Sequence, residues 1–430
     1  MLEERMQSRS ARVVVVGLGY AGLPMAVEIA RAGFTVTGLD LDPIRVDAIN
    51  AGRSPVTDVA DAAVADLVTA GKLTAATSPA VLASADCALI CVPTPTTPDH
   101  QPDLRFVRAA AQSIAAHAHP QMLVVLQSTC APGTTRHEVA TLLEERGLRV
   151  GSDVFVAFGP ERIDPGNQRF TVGNTPKIVA GMTTRCTELA ALFYTTFVDR
   201  IITVSTPEVA EMSKLVENTF RFININFVNE LAVLCDRLGI SVWEVIQAAA
   251  TKPFAFMPHY PGPGVGGHCI PVVPYYLSAL AREHGATMHM IDVAGRINDA
   301  MPDFVVAKLG RILAERGLDL AGARVLLLGL AYKPDVADIR ESPAVDVLAS
   351  LLEQQTRVGY YDPYVPSVQV SDTTLDSLSW QEVESSQFDC VVLLTAHTTV
   401  DYRDVGKLAP VIFDTRSHLS AAGEATIIRL

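Results

Sequence analysis

Arg12-Val-Val-Val-Val-Gly-Leu-Gly-Tyr-Ala-Gly-Leu-Pro24 constrains the fold more than any other stretch of the chain. Val13, Val14, Val15 and Val16 form a β-branched run suited to a buried parallel strand. Gly17, Gly19 and Gly22 then give G-x-G-x-x-G. In that spacing the first glycine makes the turn and the second admits a pyrophosphate. The third lets a helix pack on the sheet, with its N-terminal N–H groups facing the phosphates. The pattern predicts a helix to Ala32, a turn at Gly33 and a second strand ending at Asp40. A carboxylate there accepts hydrogen bonds from a ribose diol and repels a 2′-phosphate, so NAD is expected over NADP. Arg45 sits either for an adenosine or phosphate contact or on a solvated helix side.

Later apolar runs continue the alternation of strand and helix. Residues 87–92, 122–127 and 154–158 read as strands of the same sheet. Pro93-Thr94 follows the first and Ser128-Thr129 the second, at the edge where open α/β sheets bind ligands. Pro93, Thr94 and Thr129 are therefore candidate nicotinamide-side contacts; an ordinary turn or cap hydroxyl is the alternative for each threonine.

Thr206-Pro207 looks like an N-cap followed by proline at the first helical position, and neither proline nor glycine recurs before Gly239. The spacing predicts one helix of roughly thirty residues, far above the usual mean, suited to a domain junction or a dimer interface. Lys214 and Asn218 share one of its faces, either a functional pair or an ordinary solvated helix face. Gly295-Arg-Ile-Asn-Asp-Ala-Met-Pro302 is read as a lead-in to another helix ending near Arg316. A new βαβ pattern starts at Ala323, with strands expected over 324–329, 358–361, 388–394 and 411–414. Ser342 and Pro343 are placed as N-cap and first residue of its helix. Gly329 alone remains of a glycine fingerprint there, so a mononucleotide or nucleotide-sugar is expected instead of a second dinucleotide.

In Tyr260-Pro-Gly-Pro-Gly-Val-Gly-Gly-His-Cys269, four glycines and two prolines precede a thiol. Such a loop turns sharply and approaches a ligand closely. Cys269, beside His268, is a candidate covalent nucleophile; a buried structural cysteine is the alternative.

The chain's 430 residues suit two or three domains. The net charge of −13, with no basic run, argues against a nucleic-acid or anionic-membrane surface. Seven cysteines, widely spaced and without a C-x-x-C pair, suit free thiols in a reducing cytosol. No long apolar run is present, so a cytoplasmic protein is expected.

In this order the pieces resemble the UDP-sugar 6-dehydrogenase family, from Val13 to about Arg416. Besides the glycine fingerprint and the cysteine loop, the resemblance rests on Val92-Pro-Thr-Pro95, Gln127-Ser-Thr129, Gly159-Pro-Glu-Arg162, Lys214-Leu-Val-Glu-Asn218, Ala331-Tyr-Lys333 and Arg340-Glu-Ser-Pro343. The stretch 251–264, His268 before the cysteine and Pro160-Glu-Arg-Ile-Asp-Pro-Gly166 are similar to the UDP-N-acetylglucosamine branch. UDP-glucose enzymes more often carry Ser before the cysteine and Pro-Glu-Phe in the earlier motif.

The resemblance implies two Rossmann-like doubly wound α/β domains joined by a central helical domain. The expected bounds are 1–205 for NAD, 206–305 for dimerisation and the catalytic loop, and 306–430 for the UDP-sugar. It also implies a four-electron oxidation of a sugar C6 hydroxymethyl to a carboxylate with two NAD, in a homodimer or larger assembly. Cys269 is then the thiolate that forms a thiohemiacetal and later a thioester. Lys214 and Asn218 stabilise the oxyanion, Glu161 is the general acid or base, and Thr129 positions water or nicotinamide. Glu161, Arg162, Lys214, Asn218, Lys333, Arg416 and the loop residues Tyr260, Gly262, Gly264 and Gly266 are the expected substrate contacts. Arg340 is expected to reach NAD.

Two positions depart from the family. Val273 stands where a Pro-x-Asp-Pro run usually supplies a carboxylate, and His259 stands where this branch often has an aromatic. No metal is expected, because adjacent His268 and Cys269 cannot easily face one ion.

Overall fold

The computed structural model describes residues 1–57, 59–97, 101–164, 166–167, 169–420 and 423–430. Pro165 of the Pro-Glu-Arg motif lies outside the described residues. The chain divides into two compact units, Met1–Glu217 with Tyr275–Gly285, and Asn218–Pro274 with Ala286–Leu430.

The first unit is built on an eight-stranded sheet. Its strands are β1 (Arg12–Val16), β2 (Thr35–Leu39), β3 (Leu73–Ala76), β4 (Cys87–Ile90), β5 (Leu123–Leu126), β6 (Phe155–Phe158), β7 (Lys177–Gly181) and β8 (Ile201–Thr203). Their order is β3-β2-β1-β4-β5-β6-β7-β8, so the connection reverses direction beside β1. All pairs are parallel except β6 with β7. The valine run is buried on both faces, as a central parallel strand requires. Val13 and Val15 pack with Leu23 and Ile29, while Val14 and Val16 pack with Ile114 and Leu126 on the other side. Helix Leu2–Gln7 buries Leu2 and Met6 in the first of these cores.

The second unit carries β9 (Arg324–Leu328), β10 (Arg357–Tyr361), β13 (Cys390–Leu393), β14 (Val411–Asp414) and β15 (Thr426–Arg429) in the parallel order β10-β9-β13-β14-β15. A hairpin of β11 (Ser367–Val370) and β12 (Thr373–Asp376) lies outside that sheet.

The long helix runs from Pro207 to Leu238, 32 residues. Thr206 Oγ1 accepts the Val209 N–H at 3.4 Å at its start, and Gly239 leaves it at φ 68°. One expectation needs correction. Residues 295–302 are not a lead-in but lie inside helix His289–Ala314, which carries Pro302 in its interior. Buried packing of Ile291, Ala294, Met301 and Val305 outweighs the N–H that Pro302 lacks. Ser342 and Pro343 do take the N-cap and first positions of helix Pro343–Glu353 as expected, and the only difference is that the Ser342 hydroxyl makes no capping bond. It donates to the Leu330 carbonyl at 2.7 Å, tying the helix start to the end of β9.

Candidate functional site

At the end of β1, Gly17 turns with φ 91°, and a Cβ there would lie 2.6 Å from the Cys91 carbonyl oxygen. Gly22 opens helix Gly22–Arg31 hard against the Gly17 carbonyl. Around Gly19, by contrast, a Cβ would meet nothing within 4 Å. The chain is thus crowded at two glycines and open at the one where a pyrophosphate is expected. Asp40 is buried, and its Oδ2 accepts the Leu18 N–H at 2.7 Å. Arg45 pairs with the same carboxylate at 3.0 Å, so Asp40 and Arg45 form one charged unit at the end of β2.

The second unit repeats this local geometry with a different outcome. Gly329 has φ 84°, and Asp362 beyond β10 accepts the Leu330 and Ala331 N–H groups at 2.7 and 2.9 Å. Here His397 caps the acid. Its Nδ1 accepts the Asp335 N–H at 2.9 Å, which leaves Nε2 to donate to Asp362 at 3.1 Å. Asp362 is 2% exposed and His397 1%. A ribose cannot reach that carboxylate, which explains physically why this half is unlike a second dinucleotide site.

Within the first unit, the loops after β4, β5 and β6 are joined to one another. The Thr94 carbonyl accepts the Tyr276 hydroxyl at 2.7 Å, and Pro93 beside it is exposed. Ser128 donates to the Val92 carbonyl at 2.8 Å and leaves Thr129 half-buried. Glu161 Oε1 accepts the N–H groups of Arg162 and Ile163 at 2.7 and 2.9 Å. Its Oε2 is buried without a hydrogen-bond partner, 3.6 Å from the Lys177 ammonium. Arg162 is committed to Glu217 at 2.7 Å and to the Pro176 carbonyl at 2.6 Å.

On the long helix, Lys214 is buried, and among the described residues no hydrogen bond or ion pair holds its ammonium. One turn further, Asn218 is buried with its Nδ2 unpartnered. These are the groups expected to face an oxyanion, and each keeps donors in reserve. Sequence reasoning missed two of their neighbours. Lys177 lacked any motif. Glu211, one turn before Lys214, accepts the Gly133 N–H, the Thr135 N–H and the Thr135 hydroxyl at 2.7, 2.8 and 2.6 Å. Burial pushes its carboxyl above the usual range against those three donors. No local spacing gives warning of this, because Thr135 and Glu211 lie 76 residues apart in the chain.

The glycine loop of the second unit is pinned at three points. Asn229 Oδ1 accepts the Gly262 N–H at 3.0 Å, and Asn298 Oδ1 accepts the Val265 N–H at 2.7 Å. The Arg340 carbonyl accepts the Gly267 N–H at 3.0 Å. Gly267 has φ 86°, and a Cβ on it would lie 2.6 Å from the Tyr332 ring. Side chains on Gly262, Gly264 and Gly266 would run into Arg416, Pro343 and the Glu341 carbonyl respectively. Tyr260 is exposed and stacks on Trp243 at 6.0 Å, while Lys333 is half-buried next to Tyr332. The Arg340 side chain pairs with Asp338 at 2.6 Å. Arg416 donates through Nε to the Leu394 carbonyl at 2.6 Å, and burial pulls its guanidinium down to about 10, so it stays charged at neutral pH.

The NAD binding domain of the UDP-glucose/GDP-mannose dehydrogenase family matches residues 11–198, its central domain 208–300 and its UDP binding domain 326–421. The chain belongs to the UDP-glucose/GDP-mannose dehydrogenase family. It is an NAD-dependent oxidoreductase of the UDP-sugar dehydrogenase class. An NDP-N-acetyl-D-galactosaminuronic acid dehydrogenase of Ralstonia solanacearum is 37% identical over 95% of this chain and 96% of its own. A UDP-N-acetyl-D-glucosamine 6-dehydrogenase of Pseudomonas aeruginosa is 34% identical over 95% of this chain and 97% of its own. The structure of the UDP-N-acetyl-D-mannosamine dehydrogenase from Pyrococcus horikoshii aligns with a TM-score of 0.87 and 33% identity, covering 97% of this chain and 98% of that one.

As an NAD-dependent dehydrogenase of this family, the chain fits the cofactor where the fingerprint places it. The space at Gly19 is open and the Asp40 carboxylate stands at the strand end. Its seven cysteines are free thiols, and Cys269 alone among them is exposed. Burial pushes the Cys91 and Cys390 thiols up to about 12, and Cys87 and Cys130 rise for the same reason. Those four are protonated and inert at neutral pH. Val273 is 3% exposed, and its N–H donates to the Cys269 carbonyl at 3.0 Å. Its side chain offers no charge to the cysteine turn. Among the described residues no group of three or more His, Cys, Asp or Glu could hold a metal, and no helix is long and apolar enough to cross a membrane.

Proposed function

We propose that the chain oxidises the C6 hydroxymethyl of a UDP-N-acetylhexosamine, with UDP-N-acetylglucosamine the preferred sugar, to the uronic acid. The observation that carries this reading is the exposed Cys269 at the end of a loop pinned by Asn229, Asn298 and the Arg340 carbonyl. NAD, held at the Gly17–Gly22 turn and Asp40, would supply the hydride acceptor for both oxidations, a fresh molecule for each. The Cys269 thiolate adds to the aldehyde and retains it as a thiohemiacetal, and oxidation to the thioester prepares hydrolysis. Lys214 and Asn218 supply donors to the oxyanion, in keeping with their unpaired buried groups. Glu161 takes and returns the protons through its unpartnered Oε2. Thr129 orients the attacking water or the nicotinamide.

Residues 1–205 act as the NAD domain, 206–305 as the central domain and 306–430 as the UDP-sugar domain. Arg416 and Lys333 hold the diphosphate, with the backbone of residues 260–266. Arg162 supports Glu161 through its fixed pairing with Glu217, and Arg340 reaches toward NAD. A second copy of the chain covers Val209, Met212, Val216 and Phe220, which recur at helical spacing and are exposed. The enzyme works in the cytoplasm.

The sugar preference rests on His268 and the Pro160-Glu161-Arg162 motif, since relatives of similar identity carry different sugar names. A panel of UDP-N-acetylglucosamine, UDP-N-acetylmannosamine and UDP-glucose, read by NADH absorbance and product mass, tests it. Fastest carboxylate formation from UDP-glucose would overturn the N-acetylhexosamine assignment. Val273 favours a second reading, in which the chain is slow or only binds its nucleotide-sugar. An adduct accumulating on Cys269 during turnover supports that reading; two NADH released per sugar at a steady rate refute it.

A further inference from the structure

Lys177 opens β7, a strand that no motif marks, and it is 5% exposed. Removing an ammonium from water costs several kcal/mol, so a lysine at such a place needs partners. It has two, and both belong to loops that carry proposed reacting groups. The ammonium donates to Gln127 Oε1 at 3.1 Å and lies 3.6 Å from Glu161 Oε2. Gln127 immediately precedes Ser128-Thr129, and its carbonyl accepts the Glu161 N–H at 3.3 Å. The Tyr194 ring lies under the ammonium at 5.1 Å.

The carboxylate is divided in its work. Two backbone N–H groups hold Oε1, which fixes the plane of the group. Oε2 makes no hydrogen bond, yet it faces the Lys177 ammonium buried beside it. Glu161, Lys177, Arg162, Ile163 and Pro176 line the same small cavity. The other titratable groups here are Cys91 from the end of β4, Tyr194 from helix Thr184–Tyr194, and Lys214 from the long helix. Burial keeps the first two protonated and neutral. Lys177 is thus the near charge that balances Glu161.

We propose that Lys177 is a positioning residue for the Glu161 carboxylate, locking the loops after β5 and β6 in one arrangement. This rests on the reading of Glu161 as the acid–base group.

The test compares Lys177→Met, Lys177→Arg, Gln127→Glu and Glu161→Gln in the full chain. NAD is saturating, and UDP-N-acetylglucosamine and UDP-N-acetylmannosamine are assayed in parallel from pH 5.5 to 9. An opposite charge at this range typically moves a carboxyl by 1–3 units. Lys177→Met is therefore expected to move the acid limb of kcat/KM up by about one unit and to lower kcat about tenfold. Its UDP dissociation constant should stay within about twofold, and Lys177→Arg should restore the limb. Gln127→Glu adds a second carboxylate competing for the ammonium and should move the limb in the same direction, even if Lys177→Met fails to fold. An unmoved acid limb in Lys177→Met and Gln127→Glu, with Glu161→Gln inactive, would overturn the positioning role alone. Wild-type activity in Glu161→Gln would overturn the reading beneath it.

Discussion

His397 Nε2 lies 3.1 Å from Asp362 Oδ2, and this buried pair occupies the strand-end position that Asp40 and Arg45 hold in the first unit. Burial alone would raise the Asp362 carboxyl. The His397 hydrogen bond and the Ala331 and Tyr364 N–H groups outweigh it, so the carboxyl titrates below the usual carboxylate range. A carboxyl held low in the fold adds stability above its unfolded value near 3.9, and that stability drains as pH falls through the folded value. His397→Ala is expected to cost about 2–3 kcal/mol at pH 7, with the difference from wild type shrinking as pH falls through the lowered folded value of the Asp362 carboxyl. Urea unfolding across pH 3–7 checks both.

The Gly17 Cβ direction is blocked by the Cys91 carbonyl, and the residue needs a positive φ. Gly17→Ala is expected to destabilise the first unit by more than about 1 kcal/mol and to weaken NAD binding at least tenfold. UDP binding, which belongs to the other unit, should be unchanged. Calorimetric titration with each ligand separates the two.

Asp40 is paired with Arg45 before any ribose arrives. Asp40→Ala frees that arginine and removes the carboxylate. NAD affinity should drop about tenfold, in line with a lost charged hydrogen bond. NADP should gain relative to NAD, because the repulsion is gone and a guanidinium is released. The ratio of the two kcat/KM values is the readout.

Glu211 holds the chain at Gly133 and Thr135 from the long helix. Glu211→Ala leaves two buried N–H groups and a hydroxyl unpaired, a loss of about 2–4 kcal/mol. Because Thr129 sits just before this clamp, kcat should also fall. A melting temperature equal to wild type would contradict the clamp.

Much of this was visible in the residues themselves. The glycine spacing and the valine run placed β1 and its helix, because a parallel strand and a phosphate turn need those residue types. Pro207 and Gly239 bracketed the long helix for equally local reasons. The misses have local causes too. Strands β3, β8 and β15 are only 3 to 4 residues long and lack the unbroken buried run of β4 or β5. Pro302 looked like a boundary because proline usually is one, yet burial of its neighbours carries the helix through. Lys177 and Glu211 could not be found by spacing, since Lys177 meets Gln127 across 50 residues of chain and Glu211 meets Thr135 across 76. Both are visible only as charged residues without a motif.

The most direct test is to count products in single turnovers with wild type and Cys269→Ser. The account predicts two NADH and one carboxylate per UDP-N-acetylhexosamine for wild type. Cys269→Ser should bind the UDP-sugar and form no carboxylate. Full carboxylate formation at the wild-type rate by Cys269→Ser, or by Cys269→Ala, would contradict it.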